Sequence, residues 1–254
     1  RLVPLAYPDP GILHKSLPCH LPSVVDDAFQ RCMSRPAPSD RMVYVIGDSH
    51  ATNHVPSIAR ALEDTPDMHV AYLVEPGFVN ALTGVDSCLG YAACIDDGYA
   101  AMLRFLGRAL TPSDLVVFSW SRDRVTVAGA LPRRADQAAL ARLRTKLVEL
   151  RDTVRRAGAT LVLVDDIPKL CDHVFYTVDI LRQGRLDRCD IAAADSRKDR
   201  EALSRLYQEL RAPGVRLFDP HDALCRDGRC GMTLPESPAL LYGDSGGHFT
   251  LQHR

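Results

Sequence analysis

Five apolar residues, Met42-Val43-Tyr44-Val45-Ile46, run straight into Gly47-Asp48-Ser49-His50, and a helical spacing follows at Val55, Ile58, Ala59 and Leu62. β-Branched and aromatic residues in a short run predict a strand, here residues 42–48, and steps of three and four predict a helix. A strand that turns at a glycine directly into a helix is a building unit of open α/β sheets, whose sites lie above the carboxyl ends of the strands. Ser49 thus stands at the lip of a strand as a candidate nucleophile. The same residues also suit a plain helix cap, with Asp48 or Ser49 accepting from the first turn. A second Gly-Asp-Ser, residues 243–245, follows Leu240-Leu241-Tyr242 with no helical pattern behind it and reads as a loop.

The alternation continues along the chain. Residues 69–74 read as a second strand, and the stretch from Glu75 to Gly98, with Gly77, Gly84 and the Cys88/Cys94 pair, as a long connection over the site. Tyr99 to Leu110 is helical in pattern and Asp114 to Ser119 is a third strand. Leu140, Leu143, Leu147, Leu150 and Val154 mark the best-defined helix, with Gly158 placed to stop it. Thr160–Asp165 is a fourth strand; residues 167–194 look irregular; Leu203, Leu206, Tyr207 and Leu210 mark a further helix ended by Pro213-Gly214. Val215–Phe218 is the fifth strand. Strands alternating with helices predict a three-layer α/β sandwich: a mostly parallel sheet of about five strands, flanked by helices on both faces.

Residues 1–40 break this order. Pro4, Pro8, Pro10, Pro18 and Pro22 would interrupt a helix at nearly every turn, so the segment reads as a leader or linker packed on a body formed by residues 41–254. A chain of 254 residues suits one such body. The formal net charge of −1, with acids and bases interspersed, gives no electrostatic hold on nucleic acid. Arg133-Arg134 and Arg155-Arg156 fall on a helical pattern and read as its solvated face. No apolar run reaches the roughly 18 residues that a membrane span requires. The sequence begins at Arg1 without an initiator methionine, which leaves room for a targeting or membrane portion upstream.

A serine hydroxyl is a poor nucleophile without a base. Near the other end, Asp244 and His248 share one short turn with Gly246 and Gly247 between them. A nearby carboxylate can accept from one imidazole nitrogen and leave the other free to take a serine proton. The competing reading is a surface turn with an incidental histidine. Trp120, the single tryptophan, follows the third strand and is either a platform for a sugar face and acyl-pocket wall or core packing. Arg122 and Arg124 could meet an anionic glycan but read more simply as solvent-facing, Asn53 could offer an oxyanion amide but reads more simply as a helix-surface residue, and Asp165-Asp166 are carboxylates at a strand end with no second acidic cluster to support glycosidase or magnesium chemistry.

Eight cysteines fall into four close sequential pairs. The pairing expected is Cys19–Cys32, Cys88–Cys94, Cys171–Cys189 and Cys225–Cys230, because each closes a loop outside the predicted elements. Zinc ligation is the rival, but no Cys-x-x-Cys occurs and the histidines do not flank the cysteines at finger-like spacing. Disulfides imply an oxidising, extracytoplasmic setting: periplasm, secretory lumen or outside the cell.

Taken together, these blocks resemble the SGNH hydrolase superfamily, and more closely the SGNH domain fused to membrane acyltransferase-3 proteins that O-acylate cell-surface polysaccharides. Gly47-Asp48-Ser49-His50-Ala51 fits the first block, residues 113–120 the strand that here ends in Ser119-Trp120, and Leu161 to Pro168 the next strand and turn. Residues 217–220 with Leu224-Cys225 and Cys230, then Tyr242-Gly243-Asp244 and His248-Phe249-Thr250, resemble the closing block. The resemblance runs from about residue 40 to the end. It implies an SGNH/flavodoxin-like fold and a Ser49, Asp244 and His248 triad, with Gly77, Gly84, Ser119 and Trp120 as candidates around the oxyanion and substrate. It further implies no cofactor, an acyl donor and a carbohydrate acceptor as partners, and a membrane acyltransferase-3 domain preceding Arg1. The activity implied is O-acyl transfer to a glycan through a Ser49 acyl-enzyme, the alternatives being a secreted carbohydrate esterase or a non-catalytic glycan-binding domain. Two differences stand out: three residues separate Asp244 from His248 where the family has two, and the sequence ends at Arg254 before the family's closing helix, which is either trimmed or absent.

Overall fold

The computed structural model describes residues 16–18, 34–74, 96–126, 135–170, 189–231, 233–234 and 237–240. Its frame is a six-stranded, wholly parallel sheet. In chain order the strands begin with β1 (Ser16–Pro18), β2 (Arg41–Gly47), β3 (Met68–Val74), β4 (Leu115–Ser119) and β5 (Thr160–Val164). A two-residue strand β6 (Ile191–Ala192) lies outside this sheet, and β7 (Val215–Phe218) completes it. Across the sheet the order is β1-β3-β2-β4-β5-β7. The chain leaves β2 in one direction to form β3 and then returns to its other side to form β4. The order reverses there, and the crevice above the carboxyl ends of β2 and β4 is where open α/β sheets place their ligands.

The five expected strands are all present within a residue or two of their expected ends. The sixth, β1, was not expected and comes from the Pro-rich segment: Ser16, Leu17 and Pro18 pair in parallel with Val70, Ala71 and Tyr72 at the sheet edge. Proline is tolerated on such an edge, where a missing N–H interrupts no ladder.

Six helices are described: α1 (Ser49–Ala61), α2 (Asp96–Ala109), α3 (Gln137–Arg156), α4 (Ala193–Asp199), α5 (Glu201–Glu209) and α6 (His221–Leu224). The period-two alternation of β2 divides the core. Met42, Tyr44 and Ile46 join Val116, Phe118, Leu161 and Leu163 under α2, α3 and α5, whereas Val43 and Val45 join Val70, Val117 and Val164 under α1. Both faces of the sheet are covered, which is why its strands read as nearly continuous apolar runs. Asp136 caps α3 through the N–H groups of Ala138 and Ala139, and Gly158 ends it in the left-handed region at φ 74°.

A small appendage follows β7. Strands β8 (Cys225–Arg226) and β9 (Arg229–Cys230) form a hairpin that pairs with β6, turned by Asp227-Gly228, both at positive φ. Cys225 and Cys230 are joined by a disulfide, as expected. Cys189 is also disulfide-bonded, and no described cysteine is free. Cys19, Cys32, Cys88, Cys94 and Cys171 lie outside the described residues. No described helix is long and apolar enough to cross a membrane.

Candidate active site

Ser49 is the first residue of α1, directly above the carboxyl end of β2. Gly47 makes this possible. It pairs in register with Ser119, and a Cβ there would lie 1.8 Å from the Ser119 carbonyl oxygen and 2.9 Å from Ala51 Cβ. Only a residue without a side chain lets β2 end against β4 this closely. Asp48 then caps α1, its Oδ1 accepting the His50 N–H at 2.9 Å. Its Oδ2 accepts the Ser121 N–H at 3.0 Å, which ties the turn to the loop after β4. Burial pushes the Asp48 carboxyl above the usual carboxylate range, against the pull of His50 and the two N–H donors.

The residue after Ser49 carries the strongest polar contact of the site. His50 Nδ1 lies 2.6 Å from Asp166 Oδ1, with His50 7 % and Asp166 1 % exposed. Asp166 Oδ1 also accepts the Ile167 N–H at 2.9 Å, and Oδ2 accepts the Arg122 N–H at 2.9 Å and its guanidinium at 3.3 Å. Burial alone would raise this carboxyl, but His50 and Arg122 beside it hold it well below the ordinary range. Asp166 is therefore ionised and can only accept, so His50 Nδ1 carries the shared proton. Arg122 is 2 % exposed, donates to the Ile167 carbonyl at 2.9 Å and pairs through Nε with Asp199 at 2.8 Å. The solvent-facing arginine expected from sequence is thus a buried ionic link between the loops after β4 and β5 and the end of α4. His50, Ser121, Arg122, Asp123, Asp166, Ile167, Pro168 and Lys169 line a depression beside the Gly47-Asp48-Ser49 turn.

Asp165 turns the other way. It accepts from the Ser204 hydroxyl at 2.6 Å and pairs with Arg200 at 2.5 Å, and Arg200 also reaches Asp219 at 2.7 Å beyond β7. The two adjacent carboxylates thus pair with different arginines.

Ser119 and Trp120 lie at the end of β4, beside Gly47. Both are buried, and among the described residues Ser119 Oγ and Trp120 Nε1 have no hydrogen-bond partner. The indole stacks on Phe118 with centroids 5.8 Å apart, inside the core cluster beneath the site. Asn53 is buried at 1 % exposure and not on the helix surface, a correction to the sequence reading. Gly77, Gly84, Asp244 and His248 lie outside the described residues. The sequence reading overlooked His50 and the partner that holds it. No spacing rule links two residues 116 positions apart.

A second serine, histidine and carboxylate line up farther along the same edge, after β7. Ser196 Oγ is 2.8 Å from His221 Nε2, and His221 Nδ1 is 3.3 Å from Asp219 Oδ1. Ser196 and His221 are sealed in the interior, where no reactant can meet the hydroxyl. They pin α4 to α6.

No curated protein matches the sequence. Among solved structures, the periplasmic domain of a lipopolysaccharide acetyltransferase from Salmonella ser. Paratyphi A is similar, with a TM-score of 0.58, 13 % identity, and 86 % of this chain and 80 % of that one covered. At that identity the likeness is one of fold. A family profile described as the SGNH domain (fused to AT3 domains) matches residues 18–252, nearly the whole chain. A parallel sheet with a Gly-Asp-Ser turn at its switch point and a family match of this extent place the chain in the family of SGNH domains fused to AT3 domains.

Proposed function

We propose that this domain transfers acyl groups through a covalent Ser49 acyl-enzyme and that its acceptor is a hydroxyl of a cell-surface or secreted glycan. The observation that carries the reading is the place of Ser49, the first residue of a helix that opens at the switch point of the sheet. Family membership supports acyl chemistry broadly, by transfer or by ester hydrolysis. That the similar fold belongs to a lipopolysaccharide acetyltransferase supports a glycan as acceptor.

In this reading His248, oriented by Asp244, takes the Ser49 proton as the oxygen attacks the donor carbonyl, and returns it to the leaving group as the tetrahedral intermediate collapses. A sugar hydroxyl, deprotonated by the same imidazole, then attacks the acyl-enzyme and releases Ser49. The first N–H groups of a helix have no partner within it and carry its positive end, so the Ser49 N–H serves as an oxyanion donor. Gly77, Gly84, Ser119 and Trp120 remain the candidates for completing the oxyanion and substrate surroundings. The domain works outside the cytoplasm, a setting that its disulfides support, next to a membrane acyltransferase-3 partner that supplies the acyl group.

Incubation with a fluorophosphonate tests the nucleophile. Wild type is expected to be labelled at Ser49, with labelling abolished in Ser49→Ala and slowed at least about 1,000-fold in His248→Ala. No labelling of folded wild type would favour a binding domain. Esterase activity is the second reading, because water can resolve the same acyl-enzyme; acyl groups found on the glycan and not in solution would decide for transfer.

A further inference from the structure

We propose that His50 is a positioning residue: clamped by Asp166, it fixes the turn that presents Ser49 and takes no proton from it. The inference rests on Ser49 being the nucleophile and adds how it is held. The two neighbours of Ser49 are tied to different parts of the sheet edge. Asp48 holds the Ser121 N–H at 3.0 Å, in the loop after β4, and His50 holds Asp166 at 2.6 Å, in the loop after β5. Asp48 also accepts the His50 N–H at 2.9 Å, closing a triangle around the residue between them. The far anchor is itself immobile, because Asp166 accepts from the Arg122 and Ile167 N–H groups and Arg122 is held by the Ile167 carbonyl and Asp199. A helix N-terminus secured on three strands is what an acyl-transfer site requires, since displacement of a reacting group by about 1 Å costs about 100-fold in rate.

The same dyad could be mistaken for the base and orienting carboxylate of a triad. Two facts speak against it. Consecutive residues of a helix project about 100° apart and do not face each other. Asp166 also shares its charge with Arg122, so it is not reserved for strengthening an imidazole base.

The test compares three variants of the full chain by their rate of fluorophosphonate labelling at Ser49. The amide nitrogen of Asn occupies roughly the place of Nδ1 and can still donate to Asp166, whereas Gln extends to the place of Nε2. His50→Asn is therefore expected to stay within about tenfold of wild type with an unchanged pH profile, and His50→Gln and His50→Ala to fall about 100-fold. Asn as slow as Ala, in variants with wild-type circular dichroism and melting temperature, would overturn the proposal and make the imidazole itself a proton carrier. Labelling of Ala at the wild-type rate would overturn it too. Should Ala fail to fold, the contrast between Asn and Gln decides alone. Absence of labelling in wild type would sink the acyl-enzyme reading and this role with it, an outcome distinct from the other two.

Discussion

At Gly47 a single hydrogen stands where any other residue would place a carbon 1.8 Å from a backbone oxygen. Backbone atoms cannot swing aside as a flexible side chain can, so Gly47→Ala must pry β2 from β4 at the site. A loss of about 3 kcal/mol or more is expected, seen as a lower urea midpoint; an unchanged midpoint would show that the turn has slack. Gly47, Asp48 and Ser49 were legible because glycine, a capping acid and a hydroxyl between a strand and a helix form a local pattern. His50, Asn53 and Arg122 were not. Polar residues on loops and helices are usually exposed, so sequence offers no reason to bury them. What buries His50 and Arg122 is the meeting of several loops at one sheet edge, which only tertiary structure creates.

Elements were legible in proportion to their length and periodicity. The α3 stripe reads out almost directly, with Leu143, Leu147, Leu150 and Val154 all in the core and Leu140 only partly covered. Leu147→Ala should therefore cost about 2–5 kcal/mol in denaturant unfolding, and Leu140→Ala clearly less. Equal losses would mean that the first turn of the helix is packed as well as its middle. Strand β1 left no signal, since Ser-Leu-Pro is too short for alternation and contains the residue least suited to strands. The two-residue strands β6, β8 and β9 were hidden for the same reason, and β6 with the start of α4 lies inside the stretch expected to be irregular. Their order comes from a disulfide and an Asp-Gly turn, constraints that periodicity does not register.

In the molecule as a whole, Asp114 pairs with Arg35 at the amino end of β4, but the other buried charges described gather at the carboxyl edge of the sheet, and there they give stability a two-stage dependence on acid. His54, whose buried Nε2 has no partner among the described residues, is lowered to about 4, by burial first and by repulsion from His50 second, with Asp166 opposing. A folded pKa below the unfolded value of about 6.5 means that the unfolded chain takes up the proton first, so stability falls as pH drops from about 6.5 to about 4. Asp166 and Asp219 act in the next window. Burial raises both, but their basic neighbours hold each well below the ordinary range, so their contribution is complete above the unfolded value near 4 and is lost as pH falls below it. Asp48 and Asp165, both raised by burial, work in the opposite sense above that value and blunt the first stage. The urea midpoint should therefore slope gently downward between about pH 6.5 and 4 and steeply below. In His54→Gln the gentle slope should flatten, recovering up to about 3 kcal/mol at its acid end, while the steep limb remains. Parallel profiles for the two proteins across the first window would assign that slope to other groups, and loss of the steep limb in the variant would show that His54 and Asp166 titrate as one.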